Sequence, residues 1–189
     1  DNTGTRALRV LGAGMMAGAT SPARPWFALR TPDQELNKYH PVKIWLDDVT
    51  KLLLRIFQKS NTYRTLHQMY EELGAFGTSA AIVLPDYNNV IHHYPLTCGE
   101  YAIATDFKGD VCTLYREFER PVSELIKEFG YDNCSMAVRN LYDRGSLDNW
   151  IRVIHAIEPR KDRDVKSKSN KQMPWMSVYF ELAGEKGKC

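Results

Sequence analysis

The chain holds 189 residues, 43% of them apolar and 25% charged, with 25 basic against 23 acidic side chains. Those fractions are ordinary for a globular protein and exclude disorder, collagen-like repeats and a disulfide scaffold. A net charge of +2 lacks the global field of a histone-like nucleic-acid binder.

The length suits one ordinary domain or two small ones. No apolar run reaches the ~20 residues of a membrane helix, so the sequence reads as soluble. Cys98, Cys112, Cys134 and Cys189 form no C-x-x-C pair and read as reduced thiols of an intracellular protein. The chain starts at Asp1 without a signal peptide and stops at Gly184-Glu185-Lys186-Gly187-Lys188-Cys189, just past a strand pattern. Both ends read as cuts within a longer protein.

Near the N-terminus, Leu8-Arg9-Val10-Leu11 runs into Gly12-Ala13-Gly14-Met15-Met16-Ala17-Gly18. This imitates a strand entering a dinucleotide-binding glycine turn, where helix-terminal amides hold a pyrophosphate. Three observations count against it. A phosphate-binding helix starting near Gly14 would soon meet Pro22 and Pro25. No helix-then-strand unit follows. An acidic ribose ligand about twenty residues on would have to be Asp33 or Glu35, neither at a strand end. The other reading is a single helix from about Thr5 to Ala19, capped by Asn2 or Thr3, with Gly14 and Gly18 permitting close helix contact. Each helical glycine costs about 0.5–1 kcal/mol relative to alanine, which packing must offset.

Val42, Trp45, Leu46, Val49, Leu52, Leu53 and Ile56 recur at helical spacing and form one apolar stripe. Lys43, Asp47, Asp48, Lys51, Arg55 and Lys59 fill the opposite face, and Pro41 suits the first turn. After Ser60-Asn61-Thr62, which supplies cap chemistry, a further helix carries Tyr63, Leu66, Tyr70 and Leu73 inward and ends near Gly74 or Gly77. The short connection predicts that these two helices pack as an antiparallel pair.

From Ala80 the period changes to two. Residues 80–84 and 90–94 predict a hairpin around Pro85–Asn89, and residues 101–105 and 111–118 a second one around Phe107-Lys108-Gly109-Asp110. Pro121 opens a short helix ending at Gly130, and another follows near 135–145. Residues 150–157 form a strand. In the last strand Met176, Val178, Phe180 and Leu182 alternate with Ser177, Tyr179 and Glu181. The fold class is therefore α+β, with a helical part over 1–79 and a β-rich part over 80–189 whose helices lie near 121–130 and 135–145.

Few residues suggest chemistry. His92 and His93, with Cys98 and Cys112, match no zinc spacing, and adjacent strand residues point to opposite faces. Cys98 or Cys134 with His155 would need the fold to pair a nucleophile with a base. No H-E-x-x-H, P-loop or G-x-S-x-G occurs. No catalytic residue, cofactor or metal is assigned. The polar segment between the last two strands carries Arg160, Lys161, Arg163, Lys166, Lys168 and Lys171. As an exposed loop it can meet phosphates without reading sequence, although it lacks aromatics for base stacking.

Several segments together resemble a known family. They are Asp1–Ala7, Gly14-Met15-Met16-Ala17-Gly18 running into Thr20-Ser21-Pro22 and Pro25-Trp26-Phe27, and Tyr70-Glu71-Glu72-Leu73-Gly74-Ala75-Phe76-Gly77-Thr78. Tyr115-Arg116-Glu117-Phe118, His155-Ala156-Ile157-Glu158-Pro159-Arg160 and Ser177-Val178-Tyr179 continue the pattern. In collinear order these resemble the head-to-tail connector (portal) proteins of short-tailed bacteriophages and prophages. The resemblance implies a structural, non-enzymatic ring, usually dodecameric, at one capsid vertex. Through it DNA is packaged by a separate terminase and ejected into the tail. It implies a location in the virion, and in the host cytoplasm during assembly. The partners implied are further copies of the chain, capsid, terminase and tail proteins, and double-stranded DNA held without sequence preference; no membrane and no cofactor is implied. Only the wing region would be present, with the stem and clip absent. The competing function is a nucleotide-dependent enzyme built on Gly12–Gly18.

Overall fold

Thr3–Ala19 forms one uninterrupted helix, α1, in the computed structural model of the chain, which describes residues 1–169 and 172–182. Asn2 is its N-cap residue but makes no side-chain cap bond. Instead Asp1 Oδ1 accepts from the backbone N–H of Thr3 at 3.0 Å and from the Thr3 hydroxyl at 2.6 Å. The chain divides into two compact units, Asp1–Cys98 and Gly99–Cys189.

In the first unit α1 is followed by α2 (Gln34–Lys38), α3 (His40–Lys59) and α4 (Thr62–Phe76), then by the hairpin β1 (Ala80–Asp86) and β2 (Val90–Leu96). The short α2, capped by Asp33 accepting from the Glu35 N–H, has too few residues to show an apolar period and escapes sequence reasoning. Gly77 at φ +73° terminates α4 in the left-handed conformation that glycine adopts without cost. The most extensive helix contact of α4 is with α1, not with the sequence-adjacent α3.

The apolar stripe of α3 is wider than one interface needs. Leu46 and Thr50 are buried, and Thr50 Oγ1 donates to the Leu46 carbonyl at 2.8 Å. Trp45 and Leu52, which the periodicity places inward, are 63% and 54% exposed. The helix has two apolar flanks, and its own unit covers one.

Asn61 ties the start of α4 to β2. Its Nδ2 donates to the His93 carbonyl at 2.7 Å, and its Oδ1 accepts from the His93 N–H at 2.8 Å. At the hairpin tip Val90 has φ +73°, a strained conformation for a β-branched residue. Asp86 steadies that turn by accepting from the Asn88 N–H at 2.8 Å and from Asn89 Nδ2 at 3.0 Å.

The second unit is a four-stranded antiparallel sheet in the order β3 (Tyr101–Thr105), β4 (Val111–Pro121), β5 (Trp150–Pro159) and β6 (Trp175–Glu181). Helix α5 (Val122–Phe129), a 3-10 turn (Tyr131–Asn133) and α6 (Met136–Asp143) connect β4 to β5. They bury one sheet face around Val122, Leu125, Cys134, Val138 and Val153, with Phe118, Ile126, Phe129 and Tyr179 packed against them. Ser135 caps α6 by accepting from the Val138 N–H at 3.3 Å. Glu181, at the end of β6, holds that cap in place: one carboxylate oxygen accepts from the Ser135 N–H at 3.0 Å and the other from the Ser135 hydroxyl.

The alternation of β6 is oriented against its hydrophobicity. Register pairs Tyr179 with His155 and Glu181 with Val153, so Ser177, Tyr179 and Glu181 occupy the helix-covered face. Met176, Val178 and Phe180 point to the other face, where Phe180 is 39% exposed.

Candidate functional site

The glycine-rich run lies wholly within α1, and Gly14–Gly18 sits at that helix's C-terminal end. Arg24 Nη2 donates to the Ala17 and Gly18 carbonyls, each at 3.2 Å. The exposed backbone groups there are acceptors at the negative pole of a helix, whereas a pyrophosphate requires donors at a positive pole. The nucleotide-turn reading therefore fails on this fold. The expectation that Gly14 and Gly18 allow close packing is also corrected, since a Cβ built on either meets nothing within 4 Å. The close approaches are at Gly12, where a Cβ would lie 2.9 Å from Glu71 Cγ, and at Gly74, where it would lie 2.9 Å from both Leu8 Cδ1 and Leu11 Cδ2. These pairings run in opposite senses along the two helices, so α1 and α4 are antiparallel.

Neither histidine–cysteine pairing is assembled. His93 Nε2 shares a 2.9 Å hydrogen bond with Thr62 Oγ1, and burial, then the neighbouring His92, lowers its pKa from the ordinary value. Among the described residues no three His, Cys, Asp or Glu side chains gather as a metal site would require. Cys134 is buried and its thiol donates to the Gly130 carbonyl at 3.4 Å. Both ring nitrogens of His155 are already engaged. Arg116 Nε donates to Nδ1 at 3.0 Å, and Nε2 lies 2.7 Å from Ser177 Oγ. Because Nδ1 accepts, the Nε2 proton points to the serine and the ring is neutral. Tyr179 stacks on it at 4.0 Å and 3°. Burial first, and the Arg116 charge second, push its pKa down to about 4. Such a histidine is a structural element of the sheet and not a base held ready for a thiol. Its one trace in the sequence is its period-two spacing from Val153 on the covered face of β5.

The basic segment is the loop between β5 and β6. Arg160 pairs its backbone N–H with the Pro174 carbonyl at 2.8 Å, and its Nε is turned inward. Arg163 Nε donates to the Gln172 carbonyl at 3.0 Å, while the Asp164 N–H donates to Gln172 Oε1 at 2.9 Å. Asp164 Oδ1 accepts from the Lys166 N–H at 3.0 Å, so an Asx turn shapes the tip. Lys161, Arg163, Lys166 and Lys168 are exposed around this turn. Lys171 and Cys189 lie outside the described residues.

The profile of the family described as "Bacteriophage head to tail connecting protein" matches residues 1–189. The chain belongs to that family. It is 62% identical over 181 residues, 96% of its length, to the "Probable portal protein" of Bordetella phage BPP-1, of which the match covers 33%. It is 44% identical over 188 residues to the "Portal protein" of Salmonella phage epsilon15, covering 100% of this chain and 34% of that protein. The chain thus spans about a third of the length of the curated relatives it matches. The head-to-tail connector match runs through both compact units and includes α1, α4, β4, β5 and β6, which carry most of the quoted segments.

Proposed function

We propose that this chain is part of the wing of a phage portal: a structural component of a ring at one capsid vertex, through which DNA enters during packaging and leaves during ejection. The observation that carries this reading is the end-to-end match to the head-to-tail connector family, with 62% identity to a portal protein. On this reading both units belong to the wing, the stem and clip are formed elsewhere in the portal, and no reaction takes place here. The partners are further copies of the chain in a dodecameric ring, with capsid, terminase and tail proteins around it. The assembly resides in the virion of a short-tailed phage and forms in the host cytoplasm.

Physical chemistry supports the role. Each strong phosphate contact in a conduit would resist the sliding of DNA, and a chain carrying 25 basic and 23 acidic residues holds duplex weakly. The loop with Arg160, Lys161, Arg163, Lys166, Lys168 and Lys171 is the place where this chain meets a phosphate backbone, without reading bases. Electron microscopy of the full-length protein tests the reading. Rings with a central hole are expected, and a strictly monomeric full-length protein overturns it.

A further inference from the structure

Two apolar surfaces among the described residues are only partly covered. One is the flank of α3 formed by exposed Trp45 and Leu52 with half-buried Val49 and Ile56, spaced at i, i+4, i+7 and i+11. The other is the face of the four-stranded sheet turned away from α5 and α6, where register aligns Tyr115 and Phe180, 40% and 39% exposed, with half-buried Ile154 and Val178 around a buried Ala156. An antiparallel sheet tolerates water on one face when that face is polar, yet the more apolar half of β6 points outward here.

We propose that the open sheet face of one copy receives the Trp45–Ile56 flank of α3 from the next copy. The pairing follows the layer rule, by which a sheet with helices on one face is completed by a helix on the other. Dimensions agree: the flank rises about 16 Å along the helix axis, and four strands spread over about 15 Å. Charges agree as well. Glu117, Glu119 and Glu158 lie on the outward side of the sheet against one cation, Arg152, which pairs with Glu117. Arg55 and Lys59 border the α3 flank, and Asp48 on the same border is paired with Lys51 at 3.5 Å. Because the two surfaces differ, the contact is head-to-tail and closes only by rotation into a ring. The proposal rests on the ring reading above and adds which surfaces make the joint.

The test uses the full-length protein as two variants, Leu52→Cys and Phe180→Cys, mixed during assembly and treated with a short bis-maleimide. Each substitution changes one side chain of its surface and leaves the other apolar residues in place, and ring formation by each variant alone is recorded before mixing. The expected product is a covalent pair joining one Leu52→Cys chain to one Phe180→Cys chain, identified by its crosslinked peptide and seen together with rings. Rings without that crosslink overturn the joint and leave the ring reading standing. The crosslink in dimers that never form rings supports the joint and overturns the ring reading. A crosslink found only between two copies of the same variant, or no crosslink and no rings, overturns the joint.

Discussion

Gly12 on α1 and Glu71 on α4 approach so closely that a methyl group on the glycine would stand 2.9 Å from Glu71 Cγ. Gly14 and Gly18, two and six residues further along α1, face open space. Three glycines in one helix therefore respond differently to a single added carbon. Gly14→Ala is expected to raise stability by about 1 kcal/mol, the helix-propensity difference. Gly12→Leu forces the helices apart and is expected to lose about 1–3 kcal/mol, the range for overpacking. Denaturant midpoints of the two variants should move in opposite directions, and equal shifts would contradict the α1–α4 contact.

At the β1–β2 tip, Val90 has φ +73°. Its Cβ branch is strained there, whereas asparagine tolerates the left-handed region. Val90→Asn is expected to stabilise the first unit by about 1 kcal/mol, read as a higher denaturant midpoint with unchanged m-value. A drop in stability would mean that the valine side chain contributes packing that outweighs its strain.

His155 gives the second unit a defined pH response. Its folded pKa is about 4, below the ordinary 6.5, so the unfolded chain binds the proton more readily than the sheet does. Stability from this site is fully present above pH 6.5, falls as pH drops toward 4 and levels off below that. His155→Gln is expected to remove this component, so the difference between wild-type and variant stability should vary across pH 4–6.5 and flatten outside it. A difference that stays constant through that window would exclude a neutral buried ring.

The basic loop makes a prediction about salt. Replacing Arg163, Lys166 and Lys168 by alanine in the full-length protein is expected to flatten the dependence of log K on log salt for duplex DNA. The slope should change by about 0.9 for each phosphate that the variant no longer neutralises. An unchanged slope would overturn the loop as a phosphate contact.

Much of the fold is legible in the sequence because local rules govern it. The period-two runs and turn residues mark the six strands of the described residues, Pro121 and Gly130 bracket α5, and the prolines after Ala19 argue for a single N-terminal helix. What escapes are choices made by tertiary partners. Periodicity identifies the apolar residues of α3 but cannot say which flank its own unit covers, so Trp45 and Leu52 read as inward. The glycines of α1 look alike in sequence, yet only Gly12 meets Glu71. In β6 the hydrophobic alternation points the wrong way, because Tyr179 stacks on His155 and Glu181 caps α6 from the covered face. What the resemblance makes legible is the family and not a site: no charge pattern or spacing within 189 residues marks out a set of functional side chains.

The tether between Glu181 and Ser135 joins residues 46 positions apart. An eight-residue helix such as α6 is marginal in water without outside support. On the ribosome, its first turn must wait for the β6 carboxylate to emerge. Nascent chains stalled before that point should therefore leave α6 frayed and exposed to proteases, so that the second unit matures only once its last strand has been synthesised.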